Sequence, residues 1–264
     1  YSQLATLITR FECGTGSTIN RQKTEGLYIS SRENPFELSD IAWKNETDEG
    51  LKILGLHFFT DYALTVQHNY KQKIQKLKIT LKWWRQRALS KKGKVLVTKA
   101  LALSKIWHIA HTLPVPKWAI EEINNEVRDF IWSTENNSYI KLQHLCKPLK
   151  QGGLALTNVE HQASALRLKV QAQMFDSECT ENWALFGKYW LGSHFKAIEP
   201  IKWKHLVNNK EPQNLIIRDC DPPFYTDTLA FIKTNKDLFK KTTPNGSFKP
   251  PATKEIYFKL LSKN

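Results

Sequence analysis

The chain has 264 residues, 41% of them hydrophobic and 24% charged, with a formal net charge of +14. That is enough to bury a core in one large or two small domains, and the positive balance points to an anionic partner. No apolar run approaches the roughly 18 residues of a transmembrane helix, the N-terminus lacks a signal-peptide pattern and no membrane partner is expected, while the four scattered cysteines make a reducing compartment, nucleus or cytoplasm, the default.

Residues 1–12 read as a helix with Leu4, Leu7, Ile8 and Phe11 on one face, ended by Gly14 and Gly16. Gly26-Leu27-Tyr28-Ile29 reads as a short strand, and residues 32–50 turn polar and loop-like. Residues 51–59 form a β-type segment whose internal Gly55 predicts a bulge or a close backbone approach.

Residues 62–119 organise the rest. This stretch holds thirteen Lys and Arg and no Asp or Glu. Ile74, Leu77, Leu81 and Trp84 recur at steps of three and four, so they share one helix face and leave most of the cations off it. A break is expected at residues 90–93, with Gly93 in a turn. A second helix follows from near Lys94, with Leu96, Ala100, Leu103 and Trp107 inward, until Pro114 and Pro116 end it. Trp83 beside Trp84 predicts one ring inside and one near the edge. An all-positive face costs like-charge repulsion, which a polyanion relieves. The basic hairpin therefore reads as a nucleic-acid surface through Lys71, Lys73, Lys76, Lys78, Lys82, Arg85, Arg87, Lys91, Lys92, Lys94 and Lys99. An acidic membrane surface is the lesser rival.

A third helix starts at Pro116, with Ile120, Ile123, Val127 and Phe130 inward and Glu121, Glu122, Glu126 and Asp129 outward, and completes a three-helix bundle. Residues 133–150 read as irregular. Gly152-Gly153 signals a turn before a short strand at 154–156, and residues 160–175 form a helix with Ala163, Leu166 and Val170 inward. The last ninety residues are aromatic-rich, broken by prolines and irregularly helical. The fold class is α+β and mostly helical. Both ends of the chain look cut from something longer.

No complete catalytic constellation is present. Asp219 and Asp221 flank Cys220 in a loop-like setting, and His108 and His111 share a helix face without a third ligand. Cys13, Cys146, Cys179 and Cys220 form no C-x-x-C pair, which argues against zinc and gives no disulfide framework. Gly14-x-Gly16 lacks the third glycine of a dinucleotide loop.

Several segments, in order, resemble the reverse transcriptases of LINE-type (non-LTR) retrotransposons. Residues 16–25, Gly-Ser-Thr-Ile-Asn-Arg-Gln-Lys-Thr-Glu, resemble the run just beyond that family's catalytic Asp-Asp, with the usual Ser-Gly order altered to Gly-Ser. Lys52-Ile53-Leu54-Gly55-Leu56 resembles its K-x-L-G-I strand. Asn69-Tyr70, Lys73-Ile74, Trp84, Gly93-Lys94-Val95, Lys99, Leu103-Ser104-Lys105-Ile106, Leu113-Pro114 and Phe130-Ile131-Trp132 are similar to its thumb. Gly152-Gly153-Leu154 and the Ala-rich helix after it are similar to the segment beyond, so the resemblance covers roughly residues 1–175.

The resemblance implies a part of an RNA-directed DNA polymerase. Residues 1–66 would be the C-terminal end of the palm and its small β remnant, 67–133 a helical-bundle thumb, and 134–264 a connector. It implies that Lys23 lies near the leaving pyrophosphate as a proton donor or charge screen, that Leu54 and Gly55 belong to a primer-gripping strand, and that the hairpin binds an RNA–DNA hybrid. The metal-binding aspartates, with their magnesium, and the fingers would lie upstream in the parent protein. This chain would hold no cofactor and would not be catalytic alone. The alternative is a transposon-derived nucleic-acid-binding protein without catalysis.

Overall fold

A computed structural model describes residues 2–28, 42–44, 50–132, 140–176, 179–193 and 257. The fold is α+β and mostly helical, in two compact units, Tyr1–Asn69 and Tyr70–Asn264.

The first unit opens with α1 (Ser2–Thr15), which runs through Gly14 and stops at Gly16, where φ is 68°. Leu7 and Phe11 on its expected inward face are exposed. β1 (Glu25–Leu27) pairs in parallel with β2 (Ala42–Lys44), and Lys44 bridges Glu25 at 3.2 Å. β2 falls where the sequence reads as loop, because a three-residue strand is too short to show alternation.

The 51–59 segment is a hairpin of β3 (Leu51–Ile53) and β4 (Leu56–Phe58), in register Leu51↔Phe58, Lys52↔His57 and Ile53↔Leu56. The expected bulge at Gly55 is instead a two-residue turn, with φ of 49° at Leu54 and 81° at Gly55. Positive φ at both central positions matches the right-handed twist of the flanking strands. In this register His57 occupies a non-hydrogen-bonded position, so its N–H and C=O point away from β3. Asn69 captures both: its Oδ1 accepts from His57 N at 3.0 Å and its Nδ2 donates to His57 O at 2.6 Å. Thr65 likewise accepts from Phe59 N at 2.9 Å. Both side chains belong to α2 (Tyr62–Arg85), whose first turn is capped by Asp61 accepting from Ala63 N at 2.8 Å. The unit boundary falls inside α2, between Asn69 and Tyr70.

The second unit is a helical bundle. Tyr70, Ile74, Leu77 and Leu81 of α2 are buried as the three-four spacing predicts, and the Tyr70 hydroxyl donates to Leu113 O at 3.0 Å. Trp84 is half-buried, while Trp83 is 68% exposed. α3 (Lys91–Val97) begins earlier than expected, because Ser90 is its N-cap and accepts from Gly93 N at 3.2 Å. Gly93 thus lies in the first helical turn and not in a loop.

A π-turn at Thr98–Ala102 follows, in which Leu103 N–H reaches Thr98 O at 2.8 Å, five residues back. α4 (Ser104–Thr112) completes this helical run. The buried stripe differs from the expected one: Leu96 is 67% exposed and Ala100 exposed, while Val95, Thr98, Ala102, Ile106 and Ile109, themselves at steps of three and four, face the core with Leu103.

α5 (Lys117–Trp132) buries Ala119, Ile123, Val127, Phe130 and Ile131, and Ile120 lies at the margin. α6 (Leu142–Cys146) and a 3₁₀ turn (Leu149–Gln151) occupy part of the segment expected to be irregular. Gly152 holds φ at 77°, and a Cβ on Gly153 would lie 1.9 Å from Lys147 O. Left-handed geometry selects the first glycine and close backbone approach the second. Residues 154–156 form no strand; Leu154 N and Leu156 N both donate to Leu145 O at 3.0 Å. α7 (Val159–Met174) is capped by Asn158, buries Ala163 and Leu166 against Ala110 of α4, and leaves Val170 half-buried. α8 (Asn182–Ser193) packs on α7. Among the described residues no helix is long and apolar enough to cross a membrane.

Candidate nucleic-acid interface

The basic hairpin is α2 from Tyr70 onward together with α3 and the π-turn. Its core residues fix which cations face outward. On α2 the exposed strip reads Lys76, Ile79 and Trp83 at steps of three and four, flanked by Lys71 and Lys82. On α3 and the π-turn it reads Lys92, Leu96 and Lys99. Each strip thus interleaves cations with one or two exposed apolar side chains. Arg85, Arg87 and Lys91 are exposed at the α2–α3 corner, and Arg87 stacks on Trp84 at 4.5 Å from the ring centroid.

Three of the expected contacts serve the bundle. Lys78 reaches Glu122 at 2.7 Å and Glu126 at 3.4 Å, so α5's acidic residues face α2 at that point. The hydrogen bond that Lys78 donates to the Glu122 carboxylate holds its ammonium above its ordinary pKa. Lys91 and Lys94 donate to one acceptor, the Ile131 carbonyl, at 2.8 and 3.4 Å. They satisfy an orphan carbonyl in the last turn of α5. Lys94 is 7% exposed, and burial pushes its pKa down, aided by repulsion from Lys91 and Arg85. Lys73 is half-buried.

The remaining expected positions lie in the first unit. Lys23 is exposed at the end of a 3₁₀ turn (Arg21–Lys23), with its backbone N–H donating to Asn20 O at 3.1 Å. Leu54 is 88% exposed at the hairpin tip beside Gly55. Among the described residues no three His, Cys, Asp or Glu converge to hold a metal. Burial pushes the Cys146 thiol up to about 11, which leaves it protonated and unreactive near neutral pH. His108 is exposed and His111 half-buried. Asp219 and Asp221 lie outside the described residues.

Sequence reasoning missed the π-turn, Ser90 as a cap, Asp61 as a cap and the double role of Asn69. Asp61 and Ser90 carried a readable signal, each a capping residue immediately before a helical pattern. The π-turn had none, because its residues are ordinary helix formers.

No protein-family model matches the chain. It is 22% identical over 226 residues to an uncharacterized 149 kDa protein of transposon TX1 from Xenopus laevis, covering 83% of this chain and 16% of that protein. It is 26% identical over 101 residues to a putative ribonuclease H protein of Arabidopsis thaliana, covering 37% of this chain and 16% of that protein. The chain therefore matches only a small part of the length of either relative. Together the two similarities support a transposon-derived protein.

Proposed function

We propose that the chain is the duplex-gripping part of a non-LTR retrotransposon reverse transcriptase. In this reading residues 1–66 end the palm, 67–133 are the thumb and 134–264 a connector. Polymerisation would require magnesium-binding carboxylates supplied elsewhere in the parent protein. The chain's own work is to hold an RNA–DNA hybrid, not to catalyse.

One observation carries the proposal. The core residues of α2 and α3 turn inward, and Lys71, Lys76, Lys82, Lys92 and Lys99 are left exposed beside Ile79, Trp83 and Leu96. Cations on two rigid helices suit phosphates at fixed spacing, which position a duplex without reading its sequence. The exposed apolar side chains add contacts that salt does not screen. Leu54 and Gly55 at the hairpin tip are proposed as a separate primer contact, and Lys23 as a cation near the reacting phosphates.

The test is a titration of the 264-residue chain with labelled RNA–DNA hybrids of unrelated sequence over a range of salt. Engaging roughly five phosphates predicts a slope of log affinity on log salt near −4 to −5, the same for every sequence. Binding that ignores salt, or that follows one sequence, contradicts the proposal.

A further inference from the structure

We infer that Arg87 is the anchor of the nucleic-acid surface: a braced guanidinium fork just past the end of α2 that clasps one backbone phosphate and fixes where the duplex lies along the two helices. This rests on the nucleic-acid reading above and names the residue in it that binds with fixed geometry.

Arg87 is held at three points. Its guanidinium carbon lies 4.5 Å from the Trp84 ring centroid, over a side chain that is itself half-buried. Its backbone N–H donates to Trp84 O at 3.2 Å, and its carbonyl accepts from Leu89 N at 2.8 Å. Leu89 is half-buried over the first turn of α3, where a Cβ on Gly93 would meet its side chain at 3.7 Å, and Ser90 caps that turn. The chain on both sides of Arg87 is therefore tied to a helix.

The stack covers one face of the guanidinium. The N–H donors lie in its plane and point away from its rim. Arg87 is exposed, and among the described residues its side chain makes no hydrogen bond and no ion pair. Two ordinary uses of an arginine at a helix end are thus missing, since it caps no carbonyl of α2 and pairs with no carboxylate there. What remains is a planar set of charged donors that folding has already ordered. Such a fork matches the two non-bridging oxygens of a phosphodiester, and less freedom is lost on binding. The exposed lysines of the strips are flexible point charges by comparison, able to follow a phosphate but not to place it. A backbone phosphate is favoured over a solitary anion because Lys82 precedes Arg87 and Lys92 follows it, both exposed.

The experiment measures hybrid binding, its salt slope and Tm for Arg87→Lys, Arg87→Gln and a control, Lys117→Met, an exposed cation outside the hairpin strips. Arg87→Lys keeps the charge and loses the fork, so binding is expected to weaken roughly tenfold at about 0.1 M salt with the slope unchanged. Arg87→Gln loses the charge as well, and its slope is expected to fall by about one. The control is expected to shift affinity less than about twofold. A double-mutant cycle tests the bracing: once Trp84→Leu has removed the ring, Arg87→Lys is expected to cost less than about threefold more. Millimolar inorganic phosphate at constant ionic strength is expected not to displace the hybrid.

If wild type binds and Arg87→Lys binds equally well, the fork is wrong and the wider reading stands. An undiminished penalty in the Trp84→Leu background would overturn the bracing by the ring. Should wild type not bind at all, both readings fail. Full displacement by millimolar phosphate would make Arg87 a free-anion site instead. If Trp84→Leu does not fold, the exposed Arg87→Lys decides alone.

Discussion

The two halves of α2 are stabilised by opposite means. In the first unit, Thr65 and Asn69 offer side-chain polar groups to the outer edge of β4, beside the buried Leu56, Phe59 and Val66. In the second, Tyr70, Ile74, Leu77 and Leu81 give the same helix an apolar stripe. The difference shows what each surface demands. A strand edge needs a donor and an acceptor at a fixed spacing, which one amide provides. A neighbouring helix needs apolar area, and the hydroxyl of Tyr70 is accepted there only because Leu113 O takes its proton.

The contrast yields predictions of graded size. In the second unit, Gly153→Ala drives a methyl into the Lys147 carbonyl and is expected to cost roughly 3–5 kcal/mol or to prevent folding, read by chemical denaturation. Leu77→Ala is expected to cost about 2–5 kcal/mol, because Leu77 is fully buried. Asn69→Ala strips both partners from the buried His57 peptide and is expected to cost roughly 2–4 kcal/mol. Hydrogen exchange is expected to show the His57 amide losing its protection. Retained protection would show that the side-chain amide is not what holds the edge of β4.

Gly50 and Gly55 separate strain from clash. Gly55→Ala meets open space at φ 81° and is expected to cost about 1–2 kcal/mol, whereas Gly50→Ala adds a 2.5 Å clash with Phe58 O to a similar strain and is expected to cost more. Trp83→Ala is expected to change stability by less than about 0.5 kcal/mol, and Trp84→Ala by more than that but less than the roughly 3–5 kcal/mol of a fully buried ring.

Acid sharpens the picture of the second unit. Burial lowers the pKa of His111 and His161 below the ordinary 6.5. The unfolded chain then binds more protons than the folded one between the lowered values and 6.5, so stability falls as pH drops through that window. A Tm flat from pH 7 to pH 5, conditions that bracket the upper part of the window, would show both imidazoles to be solvated.

The helical architecture was legible in the sequence because long amphipathic stretches announce themselves: α2, α5 and α7 fall where the three-four spacing places them. The inward face of α3–α4 was not legible, since Leu96, Ala100 and Leu103 offer the same three-four spacing as Val95, Thr98 and Ala102, which are the residues buried with Leu103. The hairpin tip read as a bulge because Leu54, an apolar residue, occupies a left-handed turn position where Asn or Gly is the usual signal. Among the cations, composition marks the hairpin as basic and cannot sort its members. Lys78 and Lys94 differ from Lys76 and Lys92 only in what α5 presents to them, namely Glu122, Glu126 and the Ile131 carbonyl. A charge-reversal test on Lys78 therefore mixes binding with bundle stability, and Lys76 is the cleaner choice.

The most direct measurement is the affinity for an RNA–DNA hybrid of a variant carrying Lys76→Glu, Lys82→Glu, Lys92→Glu and Lys99→Glu, four exposed positions on the two outward strips. The account predicts a loss of about a thousandfold or more, a salt slope lower by about four, and an unchanged Tm. Affinity and slope equal to those of the wild type would contradict it.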